Sequence, residues 1–263
     1  MPEDLISNYL PGEKESVILI KTGLSKFLQE FKSNRLSFPG LELGSPVIIN
    51  VEDAYFDTPS KNLSNAQLAL RLRKQGDVVV LGLKGRDRWT CSGVSRIEVE
   101  ESWSANGLAT ILHYLEFLGV ALTHPGVPIG SAEPASILGL MGMKTIQNRS
   151  LERTLWPLSD TANNKTCSLG LDIVTLNLSN NPVKFGEIEI ELTNGPVNSI
   201  QNVFDTLIYN YPESLQPWQY SKLQTGAAIE TLSKSSNCSI ADENGELTPN
   251  GIKQIEQLLR KPH

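Results

Sequence analysis

The sequence predicts an α+β domain of eight mostly antiparallel strands in a closed or nearly closed sheet, with helices packed outside. Three observations lead there. Eight stretches alternate apolar and polar residues with the period of two that a half-buried strand requires. Helical periodicity is confined to a few segments between and after them. Charge on the strands is itself spaced by two, so that Arg, Lys and Glu share one face while Ile, Val and Leu share the other.

Strands are expected at 13–21, 48–56, 67–74, 77–85, 93–101, 146–157, 168–177 and 184–193. "QGD" (75–77) and "LSNNPV" (178–183) have the turn residues that join consecutive strands. Helices are expected at 22–33, 105–119, 198–211 and 220–232. The Pro/Gly-rich stretch 122–136 connects two strand-rich halves of like chemistry, so residues 1–232 read as one domain. Residues 233–263 read as a polar linker and a C-terminal amphipathic helix packed on or near that domain. Thr248 is the N-cap candidate of that helix, Pro249 suits its first position, and Ile252, Ile255, Leu258 and Leu259 form its apolar stripe.

Composition narrows the function. A net charge of −6 and a pI of about 5.2 argue against a general nucleic-acid surface, yet allow a small anion in a locally basic cavity. No apolar run approaches the roughly 18 residues of a membrane span, and the opening "MPEDLISNYLPG" lacks the basic and apolar regions of a secretory signal. Cys91, Cys167 and Cys238 lie far apart and suit a reducing, cytoplasmic setting without a disulfide framework or a zinc site. His113, His124 and His263 sit in no nucleophile or zinc constellation. The expected partner is a small molecule, neither nucleic acid nor membrane; oligomeric state is left open.

The charged faces carry the chemistry. "LALRLRK" (68–74) places Arg71 and Arg73 together, opposite Leu70 and Leu72. "SRIEVEES" (95–102) groups Arg96, Glu98 and Glu100, and "VVVLGLKG" (78–85) ends in Lys84. "NRSLERTLW" (148–156) aligns Arg149 with Arg153, and "LGLDIVTL" (169–176) carries Asp172. "GEIEIEL" (186–192) aligns Glu187, Glu189 and Glu191, while "GEKESVILI" (12–20) aligns Glu13 and Glu15 with Val17 and Leu19. A single strand of this kind usually turns its charges to water. A closed sheet offers a second solution, with the charges lining a lumen where like charges repel unless cations and an anion fill the space. Carboxylates hold hard cations, and Arg and Lys grip phosphoryl oxygens.

The ordered set "DAYFDTP" (53–59), "LALRLRK", "LGLKG", "SRIEVE", "ERTLW", "LDIV", "GEIEIEL" and "YSKLQTG" resembles the CYTH, or triphosphate tunnel metalloenzyme, superfamily over roughly residues 12–230. It looks most like the thiamine triphosphatase branch. The resemblance implies an α+β fold, an eight-stranded antiparallel closed β-barrel (tunnel) with helices packed outside, and a divalent-metal-dependent hydrolase that releases phosphate from thiamine triphosphate or inorganic tripolyphosphate. Class IV adenylyl cyclases share the tunnel, and a tunnel that binds polyphosphate or nucleotide without turnover is a third reading. By the same resemblance Arg71, Arg73, Lys84, Arg153 and Lys222 would bind the phosphate chain, assisted by Arg96 and Arg149. Glu13, Glu15, Asp172, Glu187 and Glu189 would hold Mg²⁺ or Mn²⁺, with Glu98 near them. Glu15, Lys84 and Arg153 would stand at the chemistry itself.

Two departures from the family pattern stand out. Its first strand usually reads Glu-x-Glu-x-Lys, and here Val17 follows Glu13 and Glu15. An alternative register puts Lys21 at the lysine position and Val17 and Leu19 where the acids belong. Ala69 and Leu70, not an aromatic side chain, precede and enter the arginine pair.

Overall fold

The computed structural model describes residues 12–34, 36–90, 93–122, 133–162, 164–178, 181–235 and 239–260. Cys91, Cys238, His124, His263, most of the 122–136 connection and the middle of the 178–183 turn lie outside them. The chain divides into two compact units.

The first unit takes Asn50–Thr90, Val94–Asn148 and the start of the first strand through Lys14. Its strands are β3 (Val47–Asp57, from Asn50 onward), β4 (Leu68–Gln75), β5 (Val78–Thr90) and β6 (Gly93–Ser102, from Val94 onward). Its helices are α2 (Asn62–Asn65), α3 (Ala105–Phe117) and α4 (Pro134–Leu140). The β4–β5 hairpin turns at Gly76, whose φ of 58° is cheap only for glycine. Leu70, Leu72, Leu81, Leu83, Ile97 and Val99 then share one sheet face and pack in one core with Leu108, Ile111 and Leu115 of α3. The remaining parity on β4 and β6 is charged. Asp57 of "DAYFDTP" is spent on a turn: its carboxylate accepts from the Thr58, Leu63 and Ser64 amides and so shapes the start of α2.

The second unit holds the rest of β1 (Gly12–Ile20), α1 (Leu24–Ser33), β2 (Glu42–Leu43) and most of β7 (Lys144–Ser159). It continues through β8 (Lys165–Leu176), β9 (Val183–Leu192), α5 (Asn198–Asn210), β10 (Leu215–Pro217), α6 (Lys222–Ser233) and α7 (Pro249–Leu259). Ile18, Ile20, Leu169, Leu171, Ile188 and Ile190 face a core completed by Phe27 and Phe31 of α1 and by Ile200, Val203 and Leu207 of α5. Gly186 is required there, since a Cβ would lie 2.5 Å from both Ile20 and Leu24 side-chain carbons.

The hydrogen-bonded order β1-β6-β5-β4-β3-β7-β8-β9, with β9 pairing back to β1, closes an eight-stranded antiparallel β-barrel. β2 and β10 pair outside that ring, on β7 and β1. The eight expected strands all form, with ends moved by a few residues. The short elements β2, β10, α2 and α4 were not expected.

The C-terminal stretch is more than a surface connection. Ile240 and Leu247 are buried, and residues 245–247 hydrogen-bond to Lys184 beside β9. The Glu246 carboxylate accepts from the Ser25 amide, 221 residues away, at 3.2 Å. It thereby caps α1, whose own N-cap position is Gly23 and carries no capping side chain. Helix α7 starts as its sequence suggests, with Thr248 Oγ1 accepting from Gly251 N at 3.0 Å.

Candidate functional site

In the second unit, strand register assembles a charge cluster. Arg153 on β7 stands opposite Asp172 on β8, which stands opposite Glu187 on β9. Since Leu169, Leu171, Ile188 and Ile190 turn to the core, these three share the other face. Arg153 donates from Nε and Nη2 to the two Asp172 oxygens at 2.7 and 2.5 Å, a bidentate fork, and from Nη2 also to Glu189. Gly170 lies beside this guanidinium, where a Cβ would be in ordinary contact with Arg153 Nε at 3.6 Å.

Lys222 enters this cluster from the first position of α6. Ser221 and Gln224 form a reciprocal capping box, with Ser221 N donating to Gln224 Oε1 at 2.9 Å and Gln224 N donating to Ser221 Oγ. Behind it Trp218 Nε1 donates to the buried Thr225 hydroxyl at 2.9 Å. The "YSKLQTG" motif is thus a device for aiming one lysine. Its ammonium bonds Glu189 and lies 3.0 Å from Asp172 Oδ2 and 3.1 Å from Glu187 Oε2. Burial opposes the Lys222 charge, but Glu189, Asp172 and Glu187 outweigh it and hold the ammonium above its usual range.

Glu187 is the exception in the cluster. It is fully buried and ion-paired with Lys222 at 3.1 Å, but among the described residues neither carboxylate oxygen has a well-directed hydrogen-bond donor. Burial pushes its pKa up to about 7; Lys222 works against that rise and Glu189 adds to it. A buried acceptor of this kind is costly unless something binds it. Hard divalent cations take carboxylate oxygens, so the donor chemistry of Glu187, Glu189 and Asp172 fits one. Among the described residues no three Asp, Glu, His or Cys side chains converge to hold an ion by themselves.

The first unit carries its own cluster. Arg73 on β4 stands opposite Asp53 on β3 and donates to its two oxygens at 2.8 and 2.9 Å. Arg71 bonds Glu100, and its Nη1 lies 3.9 Å from Asp53 Oδ2, while its Nε is buried without an acceptor. Gly82 faces Arg71 across the β4–β5 ladder, as Gly170 lies beside Arg153. Lys84 lies 2.5 Å from Glu98 and 3.1 Å from Glu13, and Arg96 Nε lies 3.0 Å from Glu13. Burial, then a hydrogen bond shared with Glu13, lifts the Glu98 pKa to about 8.

Of the expected site residues, Arg71, Arg73, Lys84, Arg96 and Glu13 meet in the first unit, and Arg153, Lys222, Asp172, Glu187 and Glu189 in the second. Glu15 is buried opposite Glu191, and Arg149 is buried opposite Leu176. Val17 and Leu19 stand opposite Glu189 and Glu187, both buried, so the charged face of β1 turns apolar. Lys21 donates to the Pro212 carbonyl at 2.7 Å. Sequence reasoning missed Asp53 and Tyr55. The aromatic neighbour of the arginine pair is Tyr55, directly across from Arg71, and alternation along "DAYFD" was the available signal.

The family model of the CYTH domain matches residues 24–216. The chain belongs to the CYTH family. A comparison with curated proteins finds no match. Among solved structures this CYTH protein is similar to HpAC1 of Hippeastrum, an adenylyl cyclase candidate that reveals a dominant triphosphatase activity. Identity is 15%, the TM-score is 0.51, and 83% of this chain and 96% of that one are covered. It is similar to a candidate adenylate cyclase of Bacillus halodurans at 16% identity and TM-score 0.48, over 81% and 95% of the two chains. The S. pombe RNA triphosphatase Pct1 follows at 13% identity and TM-score 0.33, over 78% and 86%. At these identities the likeness is one of fold.

Proposed function

We propose that this CYTH protein hydrolyses a triphosphate-bearing small molecule, thiamine triphosphate or inorganic tripolyphosphate, and releases phosphate with Mg²⁺ or Mn²⁺ as cofactor. One observation carries the reading: a buried carboxylate without a donor, Glu187, beside two cations already fixed in direction by Asp172 and Glu189. Glu187 and Glu189 would hold the ion, with water and substrate phosphates completing its shell. When bound, it would offset phosphate charge and position an oxygen nucleophile.

The chain's own residues account for the rest. Arg153 has Nε and Nη2 turned to Asp172 and Glu189, and its anchored Nη1 would donate to a phosphoryl oxygen. Lys222 supplies a compact charge held in place by a capped helix, and preorganised cations need no rearrangement as negative charge develops. The Arg71, Arg73 and Lys84 cluster offers further donors of the same kind, and HpAC1's reported activity agrees with this use of the fold.

The test incubates the protein with Mg²⁺ or Mn²⁺ and, separately, tripolyphosphate, thiamine triphosphate and ATP. Metal-dependent phosphate release is the expected result. Cyclic AMP from ATP without phosphate release moves the assignment to a cyclase. Binding without any product leaves a non-catalytic receptor and overturns the proposal.

A further inference from the structure

We propose that Asp53 is a positioning residue that holds the Arg73 guanidinium ready to grip a phosphoryl group; this rests on the triphosphate reading above. The geometry is specific. Asp53 sits on β3 directly opposite Arg73 on β4, and its carboxylate is wholly buried while the Arg73 side chain keeps 19% of its surface exposed. Arg73 donates Nε–H and one Nη2–H to Asp53 at 2.8 and 2.9 Å. Three of its five N–H donors remain without a partner among the described residues, on the partly exposed side chain. The same Asp53 oxygen that takes Nη2–H lies 3.9 Å from Arg71 Nη1, beyond hydrogen-bond distance, so its direct hold is on Arg73.

A carboxylate beside an anion site is a liability by charge alone, because it repels the ligand. Its presence makes sense when it removes the rotamer freedom of a long side chain at folding, before the ligand arrives. Charge and positioning therefore predict opposite signs. Asp53→Asn removes one negative charge while nearly keeping shape. If Asp53 were a bystander, tripolyphosphate would bind more tightly to the variant. As a positioning residue, its loss should weaken binding about tenfold or more, since a charge-assisted fork is lost.

The experiment measures tripolyphosphate affinity by titration calorimetry with Mg²⁺ for wild type, Asp53→Asn, Arg73→Lys and the double variant. Weaker binding by Asp53→Asn, with that penalty absent or reversed in the Arg73→Lys background, is the expected result. Equal or tighter binding by Asp53→Asn overturns the proposal. Wild type that neither binds nor hydrolyses tripolyphosphate overturns the triphosphate reading, and the proposal falls with it. Should Asp53→Asn not fold, nitrogen-15 NMR of the wild-type arginine side chains decides. An Arg73 Nε–H, assigned by its loss in Arg73→Lys, that exchanges slowly with solvent in the free protein supports the fork. A rapidly exchanging one overturns it.

Discussion

The two units solve the same problem with different remainders. Each crosses a bidentate Arg–Asp fork between neighbouring strands, Arg73–Asp53 in one and Arg153–Asp172 in the other, and each spares a glycine beside an arginine. Each also sets a lysine among acids, Lys84 with Glu13 and Glu98, Lys222 with Asp172, Glu187 and Glu189. What is left over differs. In the first unit the unused groups are donors, on Arg73 and at the buried Arg71 Nε, while the crowded acids Glu13 and Glu98 share a hydrogen bond. In the second the unused group is an acceptor, Glu187. A donor surplus suits an anion and an acceptor surplus suits a cation, each within its own unit.

The strongest way to break the comparison is to remove one acid from each fork. Asp172→Asn should destabilise the protein by about 1.5–3 kcal/mol, the range for a hydrogen bond to a charged group, since Glu189 still pairs Arg153 and Lys222. Asp53→Asn should cost less, because Asp172 serves both Arg153 and Lys222 at close range, whereas Asp53 holds Arg73 closely and Arg71 stands 3.9 Å away. Urea unfolding of both variants checks the order. Equal losses would mean that Lys222 draws little from Asp172.

Activity should separate the units next. Glu189 holds Arg153 and Lys222 and is a proposed metal ligand, so Glu189→Gln should lower phosphate release about a hundredfold or more. Glu100, which bonds Arg71 alone and is 42% exposed at its side chain, should cost less than about tenfold as Glu100→Gln. Steady-state rates with tripolyphosphate settle it. A Glu189→Gln enzyme at wild-type speed would return "GEIEIEL" to an ordinary strand.

Titration sharpens the contrast further. Glu187 and Glu98 both have raised pKa values, about 7 and about 8, so the folded protein binds their protons where the unfolded chain does not. Each therefore contributes stability at low pH that is lost as pH rises from the unfolded carboxylate range through its folded value. Relative to Glu187→Gln, wild type should lose stability between about pH 4.5 and about 7. Relative to Glu98→Gln the loss should continue to about pH 8. Denaturant midpoints across that range, compared variant by variant, show whether the two windows differ. A window at the ordinary carboxylate pKa for either residue would remove it from the argument.

Much of this was legible in the sequence, for a physical reason. Strands with Leu70 and Leu72 or Ile188 and Ile190 on one face declare their period of two, and burial enforces it. Parity alone put Arg71, Arg73, Arg153, Glu187 and Glu189 on charged strand faces, while the roles expected of them came from the family resemblance. Lys222 did not; on a helix of weak amphipathic pattern it stood out through family resemblance. Cross-strand partners were illegible, because alternation says which face a residue takes but not which residue stands opposite, and so Asp53 went unread. Helix α4 followed a Pro/Gly-rich stretch that masked its seven residues, and β10 has only three. The cap on α1 is supplied by Glu246, and no local pattern around Gly23 announces a carboxylate so distant in the chain.

The smallest expected effect tests how each unit aims its lysine. Lys84 is set by a strand, through the ladder that pairs it with Ala69. Lys222 is set by a helix start, and the Ser221–Gln224 capping box fixes that start. Ser221→Ala should cost about 1 kcal/mol of stability, the usual loss for an N-cap hydroxyl. Thr248→Ala, which removes the cap of α7, should cost about the same. Stability alone therefore does not distinguish them. Function should, because only Ser221 precedes a residue whose ammonium bonds Glu189 and lies 3.0 Å from Asp172. With α6 frayed by a turn, Lys222 loses its fixed origin, and turnover should fall about threefold to tenfold at a temperature where both variants are fully folded. Thr248→Ala should keep the wild-type rate. If both variants slow equally, the loss is one of general stability, and the capped helix has no special part in aiming the lysine.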